Sequence, residues 1–175
     1  MPVSLTAATP APLRILFVTP EATPFAKTGG LADVAGALPR ELAKLGHDVR
    51  IILPRYRVID GPTFGFRELM RVDVPHLAET VSCRIEQGRL PIADRGAGGD
   101  IPVYVVRHDP YFDRQGLYQE AGADYPDNLE RYAFFSRAAL ETVAALGRTE
   151  SWTPDILHGH DWQAALALVY LKTTD

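Results

Sequence analysis

The residues Ile15-Leu16-Phe17-Val18-Thr19-Pro20, followed by Lys27-Thr28-Gly29-Gly30-Leu31, read as a buried strand and the turn that opens a helix. A four-residue apolar run stopped by a proline has the length of a core strand. Beyond the turn, Leu31, Val34, Leu38, Leu42 and Leu45 recur at helical spacing and predict one apolar face, with Gly46 as the stop. Val49–Leu53, ended by Pro54, predicts a second buried strand. Strand, helix and strand in this order form a βαβ unit, with parallel strands and a right-handed crossover. Pro39 falls inside the helix and predicts a kink or a helix in two pieces.

The turn itself carries chemistry. A glycine pair removes two Cβ atoms where something comes close to the backbone. The free N–H groups of a helix start favour an anion there. Lys27 adds a full positive charge, so the group reads as a diphosphate site. The plainer alternative is glycine for turn geometry alone, beside a solvated lysine. The pattern is neither of the two common phosphate loops. In the Walker pattern the lysine follows the second glycine, and here it precedes both. The dinucleotide fingerprint needs three spaced glycines, and this stretch offers Gly29, Gly30 and Gly36.

Further along, Phe66–Val74, Glu79–Glu86 and Arg89–Ile92 predict short strands, read as a β-rich insertion or excursion from the parallel sheet. Ile101–Val106 predicts a strand returning to the core. Asp109 to Asp127 is a polar, aromatic loop with Tyr111, Phe112, Tyr118 and Tyr125, able to stack on sugar or simply to pack. Its carboxylate pairs, Asp109/Asp113 and Asp124/Asp127, read as a solvated acidic loop rather than a hydrolytic pair. Asn128 to Leu146 predicts an amphipathic helix, Asp155–His158 a strand, and Trp162–Leu171 a helix. The alternation argues an α/β fold with an open, mostly parallel, doubly wound sheet, whose ligands bind outside the carboxyl ends of the strands. Both Lys27–Leu31 and His158-Gly159-His160-Asp161-Trp162 fall at such ends, so one rim should hold both.

Composition bounds the classes. The 175 residues suffice for one core, with 46% hydrophobic and 23% charged residues. A net charge of -4 leaves no basic footprint for nucleic acid, and no apolar run approaches a membrane span. Residues 1–12 read as a short disordered leader without the features of a signal peptide, and 13–175 as the domain. The single cysteine, Cys83, excludes a disulfide framework and points to a reducing cytoplasm. His158 and His160 share strand spacing, but a metal site would need a further ligand, so none is expected. His158 is read as the buried strand-end residue, His160 and Asp161 as rim residues, and Trp162 as core.

The order Pro-Glu-Ala-Thr-Pro-Phe-Ala-Lys-Thr-Gly-Gly-Leu-Ala-Asp-Val-Ala-Gly-Ala-Leu-Pro, from Pro20 to Pro39, closely resembles the N-terminal signature of bacterial glycogen synthases and plant starch synthases. His158 to Trp162 resembles that family's next signature, and the likeness runs from Leu13 to the end. The resemblance implies the first, Rossmann-like domain of a two-domain GT-B glycosyltransferase. It implies retaining transfer of glucose from ADP-glucose to the non-reducing end of an α-1,4-glucan, with no cofactor and no metal. The sequence also lacks an Asp-x-Asp motif. Carried over residue by residue, Lys27 contacts the diphosphate. Thr28, Gly29 and Gly30 contact donor or acceptor, and Asp33 lies near the nucleoside. His160 and Asp161 lie beside the transferred glucose and the acceptor. Gln163 departs from many bacterial members, which have histidine there. The implied C-terminal nucleotide-binding domain is not in these residues, so the chain by itself is expected to be inactive. Two other classes stay open: a transferase for another nucleotide sugar, and a non-catalytic glucan-binding module.

Overall fold

A computed structural model describes residues 11–92 and 99–173. Most of the expected leader thus lies outside the described residues. In chain order the elements are β1 (Arg14–Val18), α1 (Gly30–Lys44), β2 (Asp48–Pro54), β3 (Arg67–His76), β4 (Glu79–Leu90) and β5 (Ile101–Arg107). Then follow α2 (Asp109–Phe112), β6 (Gln119–Glu120), β7 (Ala123–Asp124), α3 (Asn128–Glu150), β8 (Ile156–Gly159) and α4 (Trp162–Thr173).

Six strands form one sheet in the order β3-β4-β5-β2-β1-β8. The pairings β5–β2, β2–β1 and β1–β8 are parallel, while β3–β4 and β4–β5 are antiparallel. From β1 the chain builds outward through β2 to β5, then returns through α3 to place β8 on the other side of β1. The strand order therefore reverses between β1 and β8, and the right-handed crossover rule assigns α1 and α3 to opposite faces. That reversal is where open α/β sheets hold their ligands.

The core is the centre of this sheet. Phe17, Ile51, Ile52, Leu53, Val105 and Val106 are fully buried, each contributing about 1.5–3 kcal/mol relative to exposure. Strands covered on both faces need apolar side chains in both directions, which is why β1 and β2 read as continuous apolar runs.

Three expectations are corrected. The β-rich excursion is present as a long antiparallel hairpin, β3 and β4, that extends the main sheet, but the two later predicted strands are one. Gly88, between those two predicted strands, lies inside β4, where a Cβ would meet the Phe66 ring at 2.8 Å. Close packing, not a turn, requires that glycine. Helix α1 is a single element through Pro39. Its buried face is Ala32, Ala35, Gly36, Pro39 and Ala43, while Val34 and Leu45 are 51% and 75% exposed. The centre of the buried face is the predicted one shifted by one residue, a rotation of about 100°, with Leu38 and Leu42 of the predicted face half-buried against the core at its edge. Small side chains let the helix lie close: a Cβ on Gly36 would stand 2.2 Å from Thr23 Oγ1. Finally, the 109–127 segment holds the short α2 and the β6–β7 ribbon.

Candidate functional site

Strands β1 and β8 run side by side with Val18 opposite Gly159, and the His160 amide donates to the Val18 carbonyl at 2.9 Å. The two motifs therefore leave the sheet on the same rim, as their positions at strand ends required.

On the β1 side, Gly29 caps α1 with an extended backbone (φ -144°), and no side chain caps this helix start. A Cβ built on Gly29 or on Gly30 would meet nothing within 4 Å. Neither residue adopts a left-handed φ. Turn geometry and internal packing therefore do not account for the pair. What the two glycines provide is open space over the first turn of a helix, next to a lysine. Lys27 Nζ donates to both oxygens of Asp33 at 2.7 Å, and the pair is half exposed. Asp33 thus holds the ammonium at the helix start in the place of an anion.

One residue at this turn went unnoticed in the sequence. Glu21 is 4% exposed. Its carboxylate accepts from the Thr28 amide (2.5 Å), the Thr28 hydroxyl (2.7 Å), the Gly29 amide (3.3 Å) and the Tyr118 hydroxyl (2.7 Å). Burial pushes this carboxyl up, but the bonds from Thr28, Tyr118 and Gly29 outweigh it and hold it below 4.5. Thr28, expected among the ligand contacts, spends both its amide and its hydroxyl on Glu21. An acid three residues past a strand end was the only sequence signal, and its partners lie 7, 8 and 97 residues away.

On the β8 side, His158 and His160 stack at 4.5 Å and both lie against Phe17. The roles expected for them are exchanged: His160 is buried, and His158 is the half-buried one. His160 Nε2 is buried without a hydrogen-bond partner, a cost a ligand hydroxyl would relieve. Burial, then the neighbouring His158, pushes the His160 imidazole below 6.5. Asp161 is exposed and left-handed, with φ 61°. Its Oδ1 accepts from the Trp162 amide at 2.8 Å, which anchors it at the start of α4. A non-glycine residue in that region marks a place where geometry is imposed. Trp162 is 49% exposed and meets Tyr132 edge-on at 5.2 Å, so the core reading is corrected. α4 buries Gln163, Ala164 and Ala167.

Tyr118 joins the two sides. Its hydroxyl bonds Glu21, and its pKa is pushed up by burial first, then by Glu21, with Tyr132 and the charge of Asp161 adding to it. The loop that carries it is packed rather than free. Arg131 is fully buried and donates to the carbonyls of Tyr111 and Leu117 and to Asn128, with its plane over Tyr125 and Tyr132. The loop's carboxylates are largely solvated, with Asp109, Asp113 and Asp124 exposed, and Asp109, Asp113 and Asp127 also pair with Arg107, Arg57 and Arg114. Among the described residues no group of three or more His, Cys, Asp or Glu could hold a metal ion, and no helix is long and apolar enough to cross a membrane.

The sheet thus collects an ammonium, an open helix start, an imidazole nitrogen without a hydrogen-bond partner and a carboxylate at one rim, beside its switch point. Comparison with known proteins makes this specific. Residues 14–175 match the family model described as starch synthase catalytic domain. The chain is 42% identical over 164 residues to glycogen synthase 1 of Geobacter metallireducens, covering 93% of this chain and 31% of that protein. Against the glycogen synthase of Syntrophotalea carbinolica it is 44% identical over 162 residues, covering 92% and 31%. The catalytic domain of starch synthase IV from Arabidopsis thaliana, solved bound to ADP and acarbose, superposes with a TM-score of 0.76 at 30% identity, covering 94% of this chain and 31% of that one. The chain belongs to the starch synthase catalytic domain family, and it spans about a third of the length of the curated relatives it matches.

Proposed function

We propose that the protein containing this chain is a glycogen or starch synthase that moves glucose from ADP-glucose to the non-reducing end of an α-1,4-glucan with retention, without a metal or other cofactor, in the cytoplasm. No nucleic acid or membrane partner is expected. The observation that carries the reading is the unfilled space over Gly29 and Gly30 beside Lys27, facing the strand switch point. As the glycosidic bond to the diphosphate breaks, negative charge grows on the leaving group. A fixed ammonium and helix-start N–H groups stabilise that charge more in the transition state than before it. Lys27 exchanges its Asp33 partner for the diphosphate, and Asp33 is freed toward the nucleoside side. His160 Nε2 meets a sugar hydroxyl, and Asp161 orients donor glucose or acceptor.

The rim on these residues is one wall of a cleft. A second Rossmann-like domain would supply the other wall, in a GT-B arrangement. A charge facing open water is screened and weak, so the 175-residue chain alone should transfer no glucose. The test is incorporation of labelled glucose from ADP-glucose into glycogen by the complete protein, with UDP-glucose and no-glucan controls. Incorporation from UDP-glucose instead would favour another nucleotide-sugar transferase. Retention on amylose with no transfer from either donor would favour a glucan-binding module.

A further inference from the structure

We infer that Glu21 is a positioning residue for transfer, latching the Lys27–Gly30 turn to the Tyr118 loop so that Lys27 and the open helix start stand at a fixed place. The inference rests on reading the β1/β8 rim as the transfer site.

A carboxylate offers about four lone-pair sites. Here all four are used, two by backbone amides on one oxygen and two by hydroxyls on the other. Glu21 therefore has no capacity left for substrate, nor for taking a proton from it. Among the described residues no cation pairs with it, so its burial rests on these bonds alone. The Thr19 hydroxyl in turn bonds the Glu21 carbonyl at 2.7 Å, which fixes the residue's backbone at the end of β1. The latch also decides which amides face the ligand. Those of Thr28 and Gly29 are spent on Glu21, so an incoming diphosphate must use Lys27 and amides from Gly30 onward. One side chain thus ties the turn that follows β1 to a loop 97 residues away.

The two oxygens differ in a way an experiment can read. The amides are fixed donors, whereas the hydroxyls can rotate to accept. Glu21→Gln can keep its oxygen on the amides and turn its NH2 to the hydroxyls, so the latch survives. Glu21→Met keeps the length and loses every acceptor.

The experiment measures kcat and KM for ADP-glucose, with glycogen as acceptor, in the complete protein. Glu21→Met should lower kcat/KM by about 10²-fold, the scale of a misplacement near 1 Å, and Glu21→Gln should recover to within about tenfold. In a Lys27→Ala background Glu21→Met should cost less than about threefold more, because groups acting through one another are not additive. If Glu21→Met does not fold, Tyr118→Phe removes one of the four bonds. It should cost about 3–10-fold, and nothing further once Lys27 is alanine. Losses that multiply between Glu21 and Lys27 overturn the latch while leaving the site standing. Glu21→Gln as inactive as Glu21→Met, at unchanged melting temperature, overturns it as well, since the charge would then act directly. A fully active Lys27→Ala overturns the site and the latch together.

Discussion

Gly30→Ala separates function from stability more cleanly than any other substitution at this rim. Gly30 is the first residue of α1, and the space where its Cβ would sit is empty to 4 Å. Alanine fits the backbone there and restricts the unfolded chain, so folding should gain about 0.4–1 kcal/mol. For a domain of this size that is roughly 1–4 °C in Tm. The same methyl enters the volume assigned to the diphosphate. A ligand displaced by about 1 Å loses near 10²-fold in rate, so kcat/KM for ADP-glucose should fall by that order while the fold improves. The assay pairs differential scanning fluorimetry with labelled-glucose transfer to glycogen in the complete protein. Unchanged transfer with raised Tm would show that nothing approaches Gly30. A drop in Tm would show that the glycine serves the turn after all, and either result refutes the reasoning.

Lys27→Ala should cut kcat by about 10²–10³-fold, the loss for one electrostatic donor. Its half-exposed pair with Asp33 is worth only about 0–1 kcal/mol, so Tm should hold; near-normal turnover in Lys27→Gln would sink the role. Asp161→Asn keeps an oxygen for the Trp162 amide and tolerates φ 61°, so transfer should fall by at least about tenfold with Tm within a few degrees; parallel losses would make Asp161 structural. For pH, the lowered His160 and His108 values mean that the unfolded chain binds protons first, so stability should decline as pH falls below 6.5. The lowered Glu21 value adds a loss as pH falls below 4.5 through its folded value. A Tm constant from pH 7 to 4.5 would contradict the histidine sign, and one constant on further acidification would contradict the Glu21 sign.

What was legible in the sequence follows from local physics. The runs at Ile15–Val18 and Val49–Leu53 are apolar on both sides because β1 and β2 are covered on both faces. Their lengths and stops gave the parallel pair and its crossover. The shared rim followed from strand ends alone. The face of α1 did not, because leucine spacing looks more apolar than alanine spacing. The sheet instead selected the small face, for close approach at Gly36 and Thr23. The continuity of β4 through Gly88 was hidden for a related reason: that glycine answers to the Phe66 ring, which sequence distance conceals. Glu21 was invisible since an acid reads as exposed unless its donors are known, and Tyr118 arrives only with the fold. The exchange of His158 and His160 turns on which ring the sheet covers, and both share the same strand spacing.

The most direct measurement is a crystal structure of the complete protein with ADP and a malto-oligosaccharide. The account predicts the diphosphate within hydrogen-bond distance of Lys27 Nζ and the Gly30 amide, Asp33 released from Lys27, Glu21 still bonded to Thr28 and Tyr118, and sugar hydroxyls at His160 Nε2 and Asp161. A diphosphate held away from the start of α1, with the Lys27–Asp33 pair intact, would contradict it.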